Sequence, residues 1–396
     1  MKAKLNVNTL NKMLKAANKF VDKKSRNPLF FGRIALSVHD GIFEVLVVNP
    51  EGCEFSQHIP QEPEYNEDFE LTFAPEDGAW TVDAKAFAPL KGLAKKADVV
   101  ISADNNVLTV ESDGFSFSMN AVKGFYDGWK TNYPSIERIT SEMEVNGEDC
   151  GAFDYIRLAL STDEARPDFT GAGIRDGRVI AVDGHRLHIA PVSSALVGDF
   201  KAGVVGPAMV KAIAGGMTGR LSERTVLKPE DAKTKDAKTK DAKPEDAKPK
   251  VAAVWHVLDG DGFLLAVTAA AVGEFVDFRK VFPSPGMIAE VDAAAFADQL
   301  KLLSAGWKHS VAALRKSGDL HCVDLKRKEA ERHAKLRGID GEFADISFDT
   351  SYVIDALIGA DASVKLITID EDSPMWFGEY DGVDYGRGAV VMPMEW

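Results

Sequence analysis

Three residues within Ala181–His188 (AVDGHRLH) have types that could do chemistry: Asp183, His185 and His188. A carboxylate and two imidazoles could supply oxygen and nitrogen ligands to a metal ion. The flanking apolar alternation reads as strand–turn–strand, with Asp183-Gly184 as the turn. In that setting the spacing does not aim all three side chains at one point, and no second cluster completes a coordination sphere. A structural or recognition turn is the expected role; a metal-dependent hydrolase centred on Asp183, His185 and His188, or a non-catalytic structural ring protein, is the alternative. The glycines of Gly171-Ala172-Gly173-Ile174-Arg175-Asp176-Gly177 are spaced one residue too widely for a dinucleotide fingerprint, and they lead into a strand. No GxSxG elbow, HExxH pair or GxxxxGK[ST] loop occurs. The lack of a convergent nucleophile and base points to a binding or scaffold protein, without catalysis, cofactor or resident metal.

A second set of residues suits an anion. Lys12, Lys15, Lys19 and Lys23 fall on one side of a helical wheel, opposite Leu10, Met13, Leu14, Ala17 and Val21. Lys24 and Arg26 follow, and a second helical segment adds Lys85, Lys91, Lys95 and Lys96. Such a face is either a solvated surface or a phosphate-facing one on an otherwise acidic molecule. The chain as a whole is acidic: 47 Lys and Arg against 61 Asp and Glu give a net charge of −14 over 396 residues. Apolar content of 45% and charged content of 27% are those of a soluble globular chain of two or three domains. The three cysteines, Cys53, Cys150 and Cys322, are far apart and form no CxxC pair, which fits a reducing compartment. Met1–Leu10 lacks the apolar core of a signal peptide. The longest apolar stretch, Phe263–Val272, is half of the roughly 20 residues a membrane helix needs. A cytoplasmic protein with no membrane partner is expected.

The elements that must position these residues follow from periodicity. Helices are expected over Asn8–Lys23, Asp83–Lys96, Glu148–Ser161, Pro207–Met217, Asp292–Trp307 and Asp349–Ile358, with Asp292 as an N-cap. Strands are expected at Ile34–Val38, Phe43–Val48, Val99–Ser102, Val107–Glu111, Arg178–Val182, Phe263–Val267 and Val364–Ile369. The order helix, strands, helix, strands occurs three times, which reads as three repeated α+β domains, each with two helices packed on antiparallel sheets. The boundaries are 1–140, 141–284 and 285–396. Lys228–Lys250, a DAKxx repeat with eight Lys and six Asp or Glu, is expected to be a disordered surface insert (226–250 at its widest) in the second domain.

Five segments in order resemble the bacterial sliding clamp family, the beta subunit of DNA polymerase III. Ala181–Leu187 (AVDGHRL) resembles the family's ATDGHRL turn, and Glu164–Gly171 the segment upstream of it. Gly273–Pro283 (GEFVDFRKVFP) is similar to G-x-F-P-D-Y-x-x-V-[IL]-P, and Phe348–Leu357 (FDTSYVIDAL) to F-N-x-x-Y-[VL]-x-D-x-L. Asp372-Ser373-Pro374 and Val390–Trp396 (VVMPMEW) resemble the DSP turn and the terminal V-M-P-[MV]-[RK]-[LI]. The likeness is weakest in the first domain and absent at Lys228–Lys250.

The resemblance implies a head-to-tail homodimeric ring that encircles duplex DNA without reading its sequence and tethers the replicative polymerase. The lysines above would face DNA. The partner pocket, between the second and third domains, would hold short apolar-ended peptides of polymerase and clamp-loader subunits. Its matching positions are Phe169, Val182, Gly184, His185, Arg186, Leu187, Val276, Lys280, Val281, Asp349, Tyr352, Ser373, Met392, Pro393 and Met394. The dimer contact would involve Phe115 and Phe117 on one copy and Leu303 and Trp307 on the other; the residues alone allow all four to be core instead. Val182 stands where the family has Thr, Val276 where it has Pro, Asp349 where it has Asn, and Glu395-Trp396 where it has a basic-aliphatic end. These departures suggest a divergent member serving a phage or plasmid replisome.

Overall fold

In the computed structural model the described residues are 1–21, 23, 31–39, 41–49, 53–60, 77–123, 138–198, 200–227, 251–273, 275–284, 286–360 and 362–395. The insert Lys228–Lys250, Lys24, Arg26 and Trp396 lie outside them. The chain divides into two compact units, Met1–Glu142 with Gly219–Ala269, and Met143–Thr218 with Ala270–Trp396.

In the first unit, the helix Val7–Ala17 buries Val7, Thr9, Leu10, Met13, Leu14 and Ala17, and Asn6 caps its start by accepting from Asn8 N at 2.8 Å. It ends at Ala17, short of the expected Lys23. Asn18 takes the cap position, and Phe20 leaves the helix to stack on Phe55 with ring centroids 4.8 Å apart. The second expected helix is a 3₁₀ helix, Ala84–Gly92, capped by Asp83. Pro89 inside it has no N–H to donate, and Gly92 closes it, so an α-helix to Lys96 does not form. Both elements accompany a run of antiparallel strands in which Arg33–His39, Ile42–Asn49 and Cys53–Pro60 pair in sequence order.

The second unit holds a nine-stranded and a four-stranded sheet. Arg178–Val182 pairs with Arg186–Pro191, which pairs in turn with Tyr385–Val391 near the end of the chain. Gly378 and Gly388 face each other in register because the Trp376 ring fills their space; a Cβ on Gly388 would lie 2.5 Å from Trp376 Cζ2. The helix Gly147–Ile156 starts with a capping box of Asn146 and Asp149 and gives way to a 3₁₀ turn, Arg157–Ala159. Pro207–Ala214 begins with proline in its first turn. Ala293–Ser304 is capped by Asp292, whose carboxylate accepts from Ala295 N at 2.9 Å. It buries Phe296, Leu300 and Leu303 against a core in which Phe296, Phe348 and Phe377 meet pairwise at 6.1 to 6.2 Å.

Candidate functional site

The turn between Arg178–Val182 and Arg186–Pro191 is built by one carboxylate. Asp183 Oδ1 accepts from His185 N and Arg186 N, both at 3.0 Å, and Gly184 takes the left-handed conformation (φ +93°) that a side chain resists. Asp183 Oδ2 then accepts from Arg186 Nε at 3.0 Å. The same guanidinium donates to Asp355 Oδ2 at 2.6 Å and to the Leu158 carbonyl. It lies 4.5 Å over the Tyr352 ring, and His185 stacks on that ring from the turn, with centroids 6.1 Å apart. Arg186 therefore ties the turn, the 3₁₀ segment after Gly147–Ile156 and the helix Thr350–Ala356 into one wall. Only about 10% of its side chain is exposed, so these charge-assisted bonds work in a poorly solvated place.

The chain end forms the next part of the site. Met392 N donates to the His185 carbonyl and Met394 N to the Ser347 carbonyl, both at 2.9 Å, which fixes Met392-Pro393-Met394 between the turn and the helix carrying Tyr352. On the other side of Gly184 stand Phe169 and Arg166, whose guanidinium lies 5.5 Å over the Phe169 ring. The result is a surface of ring, thioether and guanidinium faces whose polar groups Asp183, Arg186 and Asp355 are committed to one another, chemistry suited to apolar side chains of varied shape. Asp349 caps the Tyr352 helix, accepting from Ser351 N at 2.8 Å and from Ser351 Oγ. Burial first, then the carboxylates of Asp183 and Asp349, push the Tyr352 phenol up.

The remaining expected pocket residues are placed as follows. Leu187 is buried, and Val182 and Val276 both pack on the apolar cluster containing it. Val281 is 37% exposed, and Lys280 reaches Asp277 at 3.6 Å with most of its side chain in solvent. Ser373 is engaged with Asp370, whose carboxyl it holds below the usual range. Three residues outside the expected set, Arg166, Asp183 and Asp355, organise the site. All three sit inside the motifs quoted above, so their signal was present as sequence neighbours of the pocket positions.

Asp183, His185 and His188 do not come together as ligands. Asp183 is spent on the turn and Arg186, and His185 stacks on Tyr352. His188 is fully buried against Tyr155, with Nδ1 3.3 Å from the Tyr155 carbonyl. Burial, and next the Arg186 and Arg387 charges, push its imidazole down to about 3, although the Tyr155 carbonyl favours the proton.

In the first unit the lysines line an open face. Lys15, Lys85 and Lys91, with Asn11 and Asn18, border a cleft of about 490 Å³ floored by Leu14 and Phe87. Lys19, Lys23, Lys95 and Lys96 are exposed, and Lys12 is half-buried. Phe115 and Phe117 lie 5.6 Å apart on Phe115–Lys123, Phe115 being 38% exposed. Phe115–Asn120 pairs with Val107–Ser112 on one side; among the described residues, the strand's pairing on the other side covers only Ala121–Lys123. In the second unit Leu303 faces its own core at 6% exposure, because it continues the Phe296–Leu300 stripe. The neighbouring Leu302 is 73% exposed. Trp307 is half-buried beneath the Arg332 guanidinium at 4.1 Å.

The fold is that of the bacterial DNA polymerase III beta sliding clamps, an α+β architecture of repeated clamp domains. Solved structures similar to this chain over 100% of both lengths include a DnaN sliding clamp from Bartonella birtlesii bound to griselimycin (14% identity, TM-score 0.75) and the DNA polymerase III subunit beta from Pseudomonas aeruginosa (18%, 0.72). A Helicobacter pylori beta clamp bound to a DNA ligase peptide is similar over the same full lengths (15%, 0.73). No protein-family model and no curated protein matches the sequence.

Proposed function

We propose that this chain is a DNA polymerase processivity factor: a non-enzymatic sliding clamp that closes as a head-to-tail homodimer around duplex DNA. It needs no cofactor and works in the cytoplasm. The observation that carries the reading is the wall built by Arg186. At positions where the sequence resembles the clamp family, Tyr352 lies under that arginine, His185 stacks on Tyr352, Phe169 stands beside Gly184 of the same turn, and Met392 is bonded to the turn's backbone. In this reading the surface takes short apolar-ended peptides of a replicative polymerase and a clamp loader, and the Helicobacter clamp bound to a DNA ligase peptide is the precedent. A single short peptide would bind at about micromolar strength, roughly −8 kcal/mol, weak enough for partners to exchange.

The lysine face of the first unit would neutralise phosphates without reading bases, while the acidic remainder keeps DNA off other surfaces. The domain boundaries at 1–140, 141–284 and 285–396 belong to the same proposal. The dimer contact would pair the open side of Phe115–Asn120 with the end of the partner that carries Leu302, Leu303 and Trp307. Val182 and Val276 are mild packing changes in an apolar cluster, which leaves Asp349, Glu395 and Trp396 as the departures that would tune partner choice toward a phage or plasmid replisome. The test is retention on circular against linearised plasmid, with mass by light scattering. A dimer of twice 43.0 kDa that stays on circles and runs off ends is expected. Equal retention on both DNA forms would overturn encirclement.

A further inference from the structure

The four-stranded sheet of the second unit carries a pair of histidines that the clamp reading does not use. His321 on Asp319–Asp324 and His333 on Arg327–Lys335 are directly opposite in the antiparallel register. Their ring centroids are 6.2 Å apart with the planes tilted by 34°. Two imidazoles bound to one metal at about 2.0–2.1 Å per nitrogen hold their centroids at most about 6.4 Å apart, and about 5 Å apart at a tetrahedral angle. The separation of the two rings is thus inside the upper limit for two imidazoles sharing one metal. Glu331, two residues before His333 and on the same strand face, puts Oε1 2.8 Å from His321 Nδ1. A carboxylate on Nδ1 orients a ring, sets its tautomer and directs Nε2 toward a metal. Asp319, on the same face one step along, is turned toward Ser317 and Lys335.

We propose that His321 and His333 form a two-imidazole site for a late first-row divalent cation, with Glu331 as the outer carboxylate that orients His321. Imidazole nitrogen favours Cu²⁺ over Ni²⁺ and Zn²⁺. Among the described residues no group of three or more His, Cys, Asp or Glu side chains is placed to hold a metal, so the proposal is limited to the two imidazoles. The bound cation staples Arg327–Lys335, an outer strand of its sheet, to the strand beside it. This site stands apart from the peptide surface and does not depend on the clamp reading.

The experiment is Cu²⁺ and Zn²⁺ titration of the untagged full-length chain by calorimetry, with electron paramagnetic resonance on the Cu²⁺ form. One saturable site with a two-nitrogen signature is expected. His333→Gln should weaken binding at least tenfold and remove the two-nitrogen signature. Glu331→Gln should weaken it about tenfold. His309→Gln, at an exposed histidine elsewhere in the unit, should leave it unchanged. Circular dichroism of each variant separates loss of binding from loss of fold. Unchanged affinity and signature in folded His333→Gln, or no saturable site below about millimolar metal, would overturn the proposal.

Discussion

The described helices of the two compact units differ in charge. Val7–Ala17 and Ala84–Gly92 in the first unit hold Lys12, Lys15, Lys85 and Lys91 and no acidic residue. In the second unit the α- and 3₁₀-helices set Glu148, Asp149, Asp154, Asp168, Asp298 and Asp355 against Arg157, Lys211, Arg279, Lys280 and Lys301, close to balance. Within that set Lys301 meets Asp298 at 3.3 Å and Arg157 meets Asp154 at 2.5 Å. The first unit's helices thus carry charge of one sign, while the second unit mixes signs, with Arg186 between Asp183 and Asp355 as its least solvated case. Total charge hides this division, because fields act locally and are screened over about 8–10 Å at physiological salt.

The largest expected effect breaks the comparison on the lysine side. Replacing Lys12, Lys15 and Lys19 by Glu should lower DNA retention about a hundredfold at low salt and much less at high salt. Each lost phosphate contact also flattens the salt dependence by about 0.9 in the log–log slope. Peptide affinity should not move. Retention that is equal in wild type and variant at low salt would remove these residues from the DNA face.

Next comes the arginine. Arg186→Ala leaves Asp183 and Asp355 without their cation in a poorly solvated place, so a stability loss of about 3 kcal/mol is expected by denaturant titration. Peptide binding should fall at least tenfold while DNA retention by folded protein is kept. Arg186→Lys should recover little, because an ammonium cannot reach two carboxylates and a carbonyl while stacking on Tyr352.

Arg186 also illustrates what was legible in the sequence. The Asp183-Gly184 turn, the strand Arg178–Val182 and the Asp292 cap are local, set by residues within a few positions, and they form where periodicity and capping rules put them. Asp83–Lys96 departs from an α-helix at Pro89, and Asn8–Lys23 stops early because Phe20 finds Phe55 instead of continuing the turn. The contact from Arg186 to Asp355 spans 169 residues, and no periodicity reports a pairing of that range. Leu302 and Leu303 differ by one helical step, yet only the three-dimensional stripe decides which is buried.

A smaller effect tests the same wall through pH. The folded-state imidazole of His188 titrates near 3, below its ordinary 6.5, so the unfolded chain binds the proton first. Its contribution is fully present above pH 6.5 and is lost as pH falls toward 3, at about 1.4 kcal/mol per pH unit. That amounts to about 2 kcal/mol by pH 5. Chemical denaturation at pH 7.5 and 5.0 should show this loss in wild type and a shallower one in His188→Gln. Identical slopes would mean that water reaches the ring and that the wall is less dry than Arg186 implies.

The smallest effect sharpens the charge comparison at the rim. Asp349 caps the Tyr352 helix through Ser351, and Asn is about as good an N-cap as Asp. Asp349→Asn should therefore change stability by less than about 0.5 kcal/mol, whereas Asp349→Ala should cost about 1 kcal/mol through the lost cap. With the fold held constant in this way, peptide affinity isolates the charge. If Asp349→Asn binds an apolar-ended peptide as wild type does, the carboxylate serves only the helix, and Glu395 and Trp396 become the residues to change next. If affinity for a peptide with an acidic flank rises severalfold, the negative rim is selecting partners by repulsion, and charge in the second unit acts on partners as well as on the fold.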